Sequence, residues 1–587
     1  MMHDTLQLAQ LKTKKHFPLS RIALIRGVIL TAFVAVLARL FYWQILQGSQ
    51  LRAEAEQQYT GFSSIHGSRG KIFSADGYLL VGNQPIFTLF AQPQILSKSA
   101  SEIAHQLARV LASQTASESA LYVNFVDKLS DTDKKWIALE SRVTEPQKQQ
   151  ISQFHYHGIG FDEYESRYYP EASLAANITG FVGKNDQGQD TGYFGIEGQF
   201  NLELKSKQTV VKTRKDAKGV PLLHQLTQTV QESDGRDITL TIRRDIQYML
   251  EQKLKQGVER YGAKSGEVVV MHPKTGAILG IASYPSYDQR QYFQFPSELY
   301  KNPLASDAYE PGSTFKVLTV AAGVDSGAVT PDTQCTRCAA AREISGYTIK
   351  TWNDQYTANI SVKDGLAKSD NTAMIFVAQK VGKDQFIDYL HKFKIGEPSG
   401  VELQEDSGTL LKQNWREIDL ATSSFGQGIA TTGLQMVRAV SAIANNGKMV
   451  RPRIIDSVTV DGQPVKVSTE VVGEPISSQT AQTVTDMMVY AAQSAEAKWK
   501  TSKRYSVAGK TGTAQIPVAG HYDKEKTIAS YIGFAPAYNP EFVMLVKFSE
   551  PKTSIYGSET AAPMWYEIAN ELFTRLNIPP DRPDTNS

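Results

Sequence analysis

The sequence predicts an α+β protein behind a single membrane span, and three observations carry that prediction. Between residues 236 and 577 strand-like patterns come first, helical ones follow and strands return, which fits helices packed on one sheet rather than an alternating βαβ series. Ahead of this region, Gly27 to Leu46 is an almost unbroken apolar run, preceded by Lys12, Lys14, Lys15, Arg21 and Arg26. The chain as a whole, 587 residues with 41% hydrophobic and 21% charged, has the length and composition of several globular domains. Other classes drop out on the same figures. Lys and Arg (62) against Asp and Glu (60) leave +2, too little for a phosphate backbone, so no nucleic-acid partner is expected. Two cysteines build neither a disulfide scaffold nor a four-cysteine metal site.

Residues 1–26 are polar and basic and read as a cytoplasmic N-terminus, because positive flanks stay inside. Residues 27–46 make a helix of about 30 Å, enough to cross a hydrocarbon core. Arg39 lies close enough to one end to snorkel. A cleaved signal peptide would end near Ala38, but Leu40, Phe41, Tyr42, Trp43, Ile45 and Leu46 prolong the apolar run, so an uncleaved anchor is expected. Everything after it then folds outside the cytoplasm.

Residues 47–235 form a first soluble region. Helical spacing appears at Leu51–Tyr59, Ser99–Leu129 and Glu145–Phe154, with strand, turn and strand around Arg69–Phe73 and Asp76-Gly77. Lys207–Asp234 is polar, with Val210, Val211, Val220 and Leu222 among charges, and reads as an extended arm. Residues 236–577 form the second region. Strands are expected at Asp237–Ile242, Gly266–Met271, Ala277–Ala282, Ser506–Gln515, Ile528–Ala535 and Glu541–Phe548. Helices are expected at Ile246–Val258, Phe315–Val324, Thr372–Val381, Leu434–Asn445 and Trp565–Leu576, and residues 578–587 are a tail.

Three short signatures stand in order in the second region: Ser313-Thr-Phe-Lys316, Ser369-Asp-Asn371 and Lys510-Thr-Gly512. Singly each is weak, since Ser68-Arg-Gly-Lys71 and Lys274-Thr-Gly276 repeat two of them in stretches that read as turns. Context separates them. Ser313 follows Pro311-Gly312 and opens an apolar helical run, so Lys316 lies one turn on, on the same face. Serine is a poor nucleophile without a base, and lysine serves as one near neutrality only if burial or a neighbouring cation lowers its pKa. A helix start also aims backbone N–H groups at an oxyanion formed beside the serine. Ser369, Asp370 and Asn371 taken alone would be a helix cap. Lys510 to Thr513 lies in a strand of small residues, along which an extended substrate can pair while Lys510 and Thr511 draw in a carboxylate.

With these signatures stand Arg69-Gly70-Lys71-Ile72, Arg167-Tyr-Tyr-Pro170, Gly192-Tyr-Phe-Gly-Ile-Glu197, Tyr309-Glu-Pro-Gly-Ser313, Phe425-Gly-Gln-Gly428 and Lys510-Thr-Gly-Thr513. Over nearly its whole length the chain resembles the class B penicillin-binding proteins, serine D,D-transpeptidases that cross-link peptidoglycan. The resemblance implies a membrane anchor, an elongated, mainly β, non-catalytic pedestal of the dimerisation-domain type, and a transpeptidase domain combining an antiparallel sheet with a helical subdomain. It implies that Ser313 attacks the penultimate D-Ala carbonyl, Lys316 takes the serine proton, Ser369 relays a proton to the leaving amine and Asn371 holds the peptide amide. Lys510, Thr511, Gly512 and Thr513 would bind substrate, with the N–H groups of Ser313 and Thr513 as oxyanion hole. Stem peptides and β-lactams are the implied ligands, and glycan-polymerising and divisome membrane proteins the implied partners. Ser-x-Asn in the second signature resembles division-specific members, whereas several elongation-specific ones resemble Ser-x-Asp. A septal role is therefore expected, with elongation as the alternative. Asp370, and Phe73-Ser-Ala ahead of the Asp76-Gly77 turn, depart from the usual pattern, and the second leaves pedestal contacts open.

Two further readings compete with this one. A β-lactamase would share the serine–lysine start but must activate water for deacylation, and a non-catalytic scaffold would not need the intact trio. Cys335 and Cys338, three apart with no second pair, suit a loop disulfide or two idle thiols better than zinc or redox catalysis. No metal or cofactor is implied.

Overall fold

The computed structural model describes residues 21–112, 117–206, 208–214, 234–494, 503–518 and 521–582. The expected cytoplasmic stretch with Lys12, Lys14 and Lys15, the arm residues Val220 and Leu222, and the last five residues of the tail lie outside the described residues. Residues 1–67 with 207–233 make one unit, and residues 68–206 with 234–587 make the other.

In the first unit, a helix of 26 residues, Arg21–Leu46, is long and apolar enough to cross a membrane. Its described part already includes Arg21, six residues before the expected span, and its last turn, Tyr42–Leu46, is a π-helix. Ile22, Ile29, Phe33 and Leu40 are all exposed, so no protein core buries this apolar surface. A second helix follows at Gly48–Tyr59, and Thr60–His66 pairs antiparallel with Gln208–Arg214.

In the second unit, α1 (Arg244–Tyr261), β1 (Ser265–Met271) and β2 (Ile278–Tyr284) come first, then α2 (Lys316–Asp325), α3 (Asn371–Val381), α4 (Gly433–Ala444) and α5 (Ser478–Ser494). β3 (Ala508–Val518), β4 (His521–Ala535), β5 (Phe542–Ser549) and α6 (Ala561–Arg575) complete it. The five strands form one antiparallel sheet in the order β2-β1-β5-β4-β3, which leaves β3 at an edge. Strand parity explains why β1 and β5 read as continuous apolar runs. Val268, Val270, Phe542, Met544, Val546 and Phe548 pack with α1 and α6, while Val269, Met271, Val543 and Leu545 face the core that holds α2, α3 and α4. Trp565 of α6 fixes one layer by donating from Nε1 to the Met544 carbonyl at 2.9 Å. Helix α4 is buried on every side, so its apolar residues are not confined to one stripe, and a Thr432–Gln435 capping box closes its N-terminus.

A seven-stranded sheet draws on segments from both sides of residue 235. Ile238–Leu240 pairs parallel with Ile72–Phe73 and antiparallel with Ile455–Val460, and Leu79–Ala91 continues the sheet between Ile72–Phe73 and Ile137–Val143. Helices Ala100–Leu111 and Glu118–Ser130 share a separate core with it, around Phe87, Leu89, Leu107 and Phe125. Glu197, fully buried, accepts from Arg69 Nε at 2.8 Å and from Arg167 Nε at 2.7 Å, which brings together three signatures spread over more than a hundred residues.

Candidate active site

The turn that carries Ser313 depends on two glycines. Gly312 has φ +55°, and Gly426, with φ +79°, crosses it so closely that a Cβ on Gly426 would lie 2.1 Å from the Gly312 carbonyl oxygen. Gly312 N–H donates to the Gly426 carbonyl at 2.9 Å. One 3₁₀ turn, Gly312–Phe315, then runs directly into α2. Ser313 is half-buried and lines a cleft of about 1040 Å³, whereas Lys316 has no exposed surface.

Lys316 Nζ donates to the Ser369 carbonyl at 2.6 Å, to Asn371 Oδ1 at 2.8 Å and to Ser369 Oγ at 3.2 Å. The hydrogen bonds of this amine therefore go to the second signature, and Ser313 is not among its partners. Ser369 occupies the left-handed region, φ +57°, which a non-glycine residue adopts at a cost and which here turns its carbonyl and hydroxyl toward Lys316. The helix cap foreseen for Ser369 to Asn371 falls to Asp370, whose carboxylate accepts from Ala373 N–H at 3.1 Å and Thr372 Oγ1 at 2.6 Å. That leaves Ser369 and Asn371 for the cluster, with Asn371 also held through Nδ2 to the Lys350 carbonyl at 2.8 Å.

Lys510 closes the other side. Its Nζ donates to Ser369 Oγ at 3.1 Å and to the Thr511 carbonyl at 3.0 Å, so the Ser369 hydroxyl lies between two amines. Gly512 permits the approach, because a Cβ there would sit 2.5 Å from Ser530 Oγ and 2.8 Å from Thr314 Cγ2 beside the Ser313 turn. Thr511 and Thr513 line the cleft from edge strand β3, and Thr513 Oγ1 accepts from Gly557 N–H at 3.0 Å.

Burial holds the Lys316 pKa well below the usual lysine value, and the positive charge of Lys510 adds to the effect, against a smaller opposing pull from Asp370. A neutral amine has a lone pair, so such a lysine can accept a proton, and Ser369 Oγ offers a relay between Lys316 and Lys510.

Sequence reasoning included Tyr309 and Glu310 in a signature without giving either a role, and it missed Lys547 and Glu267. Glu310, three residues before Ser313, accepts from Gly428 N–H at 2.9 Å and Tyr522 OH at 3.1 Å, and burial raises its pKa. Tyr309, buried, carries Lys547 Nζ 4.3 Å over its ring, and Lys547 pairs with Glu267 at 2.7 Å. In a single chain each of these reads as an ordinary polar residue in a strand or loop. The look-alike signatures stay out of the cleft: Ser68 Oγ donates to Glu165 at 2.7 Å and Lys274 Nζ to Asn539 at 2.8 Å. Cys335 and Cys338 form a disulfide with Cα atoms 5.7 Å apart.

Comparison with known proteins bears on the family and the fold. Residues 266–570 match the family model of the penicillin binding protein transpeptidase domain, and residues 64–240 that of the penicillin-binding protein dimerisation domain. Stage V sporulation protein D of Bacillus subtilis is 30% identical over 95% of this chain and 85% of its own. A peptidoglycan D,D-transpeptidase FtsI homolog of Mesostigma viride is 28% identical over 97% of this chain and 98% of its own. The crystal structure of penicillin binding protein 2X from Streptococcus thermophilus shares the fold, with TM-score 0.72, 24% identity, and coverage of 88% of this chain and 81% of that one.

Proposed function

The chain belongs to the penicillin-binding protein transpeptidases, and we propose that it cross-links peptidoglycan as a class B D,D-transpeptidase working through a Ser313 acyl-enzyme. The observation that carries the reading is the buried Lys316 amine, hydrogen-bonded to Ser369 and Asn371 beneath a cleft that Ser313 lines.

In the first half-reaction the Ser313 hydroxyl attacks the penultimate D-Ala carbonyl of a stem peptide, and Lys316 takes its proton. The peptide lies along the edge strand β3, with its terminal carboxylate drawn to Lys510, Thr511 and Thr513 and its amide held by Asn371. The N–H groups of Ser313 and Thr513 receive the oxyanion. Ser369 returns the proton to the departing D-Ala amine, helped by the two amines that polarise its hydroxyl. A second stem peptide then takes the acyl group. A β-lactam imitates the dipeptide ending and stays on Ser313.

The Arg21–Leu46 helix anchors the chain with its N-terminus in the cytoplasm, and the Cys335–Cys338 disulfide suits an oxidising compartment outside it. Asn371 in the Ser-x-Asn signature, together with relatives named FtsI, supports a place at the division septum beside a glycan polymerase and other divisome membrane proteins. Labelling with a fluorescent penicillin tests the chemistry. The wild-type protein should label covalently and Ser313→Ala should not, and persistent labelling of the variant would remove Ser313 from the mechanism.

A further inference from the structure

Two amines use the reaction centre in turn: D-Ala leaves it, and the second stem peptide arrives. Because both half-reactions pass through the same acyl-enzyme, the arriving amine takes the position the leaving amine vacated, against Ser369. The wall there is aromatic. Trp352 donates from Nε1 to the carbonyl of Lys368, the residue before Ser369, at 3.2 Å. Its ring meets Tyr556 edge-on, centroids 5.9 Å apart at 70°. Tyr556 is fixed from the strand side, since Gly557 N–H reaches Thr513 Oγ1 at 3.0 Å and Thr527 Oγ1 reaches the Ile555 carbonyl at 2.9 Å. The pair thus reaches from the Ser369 loop to β3. Trp352 is 49% and Tyr556 38% exposed, and both line the cleft.

A fixed negative charge lines the same cleft. Asp364 accepts from Ser361 Oγ at 2.7 Å and from Tyr490 OH at 2.8 Å, which sets the direction of its carboxylate. Aromatic faces that share a cleft with a carboxylate suit an alkyl chain ending in an ammonium, with apolar contact along the stem and attraction at the head, although Lys350 and Lys368 line the same cleft.

We propose that Trp352 and Tyr556 form one wall of the acceptor subsite, along which the polymethylene side chain that carries the nucleophilic amine lies, while Asp364 attracts that amine in its charged form before it sheds a proton and enters the reaction centre. The inference rests on the transpeptidase reading above and assigns it a second substrate site. In the step itself the neutral amine nitrogen bonds to the acyl carbon and the bond from that carbon to Ser313 Oγ breaks. The proton lost by nitrogen passes through Ser369 and Lys316 to Ser313 Oγ, leaving an amide and a free serine.

The test uses the full-length protein in detergent, an acyl-D-alanyl thioester as donor and a lysine-containing tripeptide amine as acceptor. Trp352→Ala and Tyr556→Ala should react with fluorescent penicillin within about threefold of the wild-type rate. Their ratio of aminolysis to hydrolysis should fall at least about tenfold, through a higher KM for the amine, and Trp352→Phe should restore most of it. An unchanged ratio overturns the proposal, and so does a parallel loss of penicillin acylation and transfer, which would make the rings a support for the catalytic cluster. A wild-type protein that reacts with neither penicillin nor thioester would instead sink the transpeptidase reading, so the two failures are distinguishable.

Discussion

Lys316 shows how a residue type that is ordinarily a surface cation is given a lowered pKa. Enclosure on α2 removes the water that would stabilise its ammonium, and Lys510 on the far side of Ser369 adds repulsion. Lys316→Ala should slow acylation by penicillin roughly 10³-fold or more while Ser313 stays in place, measured by stopped-flow quenching. The sign of the pH effect follows from the lowered pKa. With Lys316 as the proposed base the active form is the unprotonated amine, so the acylation rate should rise with pH and level off well below the ordinary lysine range. A limb still rising beyond pH 10 would show that the amine is not depressed. These residues were legible in the chain because order, spacing and the Pro311-Gly312 approach to Ser313 are local. The partners of Lys316 were not. That its hydrogen bonds go to Ser369 and Asn371 depends on the left-handed backbone at Ser369 and on Asp370 taking the cap, and neither has a sequence signal of its own.

At the level of elements, the central strands showed themselves through apolar runs, but a run does not reveal cross-strand neighbours. Glu267 and Lys547 are directly opposed in the β1–β5 register and buried together, though each alone looks like a residue facing water. Lys547→Met strands a buried carboxylate and should lower unfolding free energy by about 3–5 kcal/mol, whereas Glu267→Gln combined with Lys547→Met should recover much of that, both read from urea melts. Helix α5 escaped sequence reading because its buried face is built of Ala481, Val484, Met487, Met488 and Ala491 among many polar residues, a weak periodic signal. The hairpin strands Arg342–Ile344 and Tyr347–Ile349 were missed too, being too short for period two to register. Helix α1 holds a titrating group. Glu251 accepts from Ala175 N–H at 2.8 Å and Gln247 Nε2 at 2.9 Å, and burial pushes its carboxyl up to about 7. A raised carboxyl binds its proton more tightly in the folded state, so its contribution is complete below about pH 4.5 and is lost as pH rises through 7. The unfolding free energy read from urea melts should therefore fall between pH 5 and pH 7.5, by up to about 3 kcal/mol, and Glu251→Gln should flatten that slope.

Across the molecule, the Arg69–Glu197–Arg167 cluster ties the start of the second unit to segments far along the chain. Glu197→Ala leaves two buried guanidinium groups facing each other. It should cost several kcal/mol and open residues 68–206 to limited proteolysis, with the sites of cleavage read by mass spectrometry. The signatures around these three residues could be recognised one by one from the sequence, while their convergence on a single carboxylate could not, because nothing local in Arg69 or Arg167 names Glu197. Any strand with one flank unbonded is a template on which extended polypeptide can stack, and uncovered flanks of this kind nucleate fibres. The flank of β3 that would do so carries Thr511 and Thr513 into the cleft, where the nucleophile turn crowds Gly512. Walls that stand against an edge strand disfavour the pairing of a second folded copy onto it, so the cleft should also protect this flank from self-association.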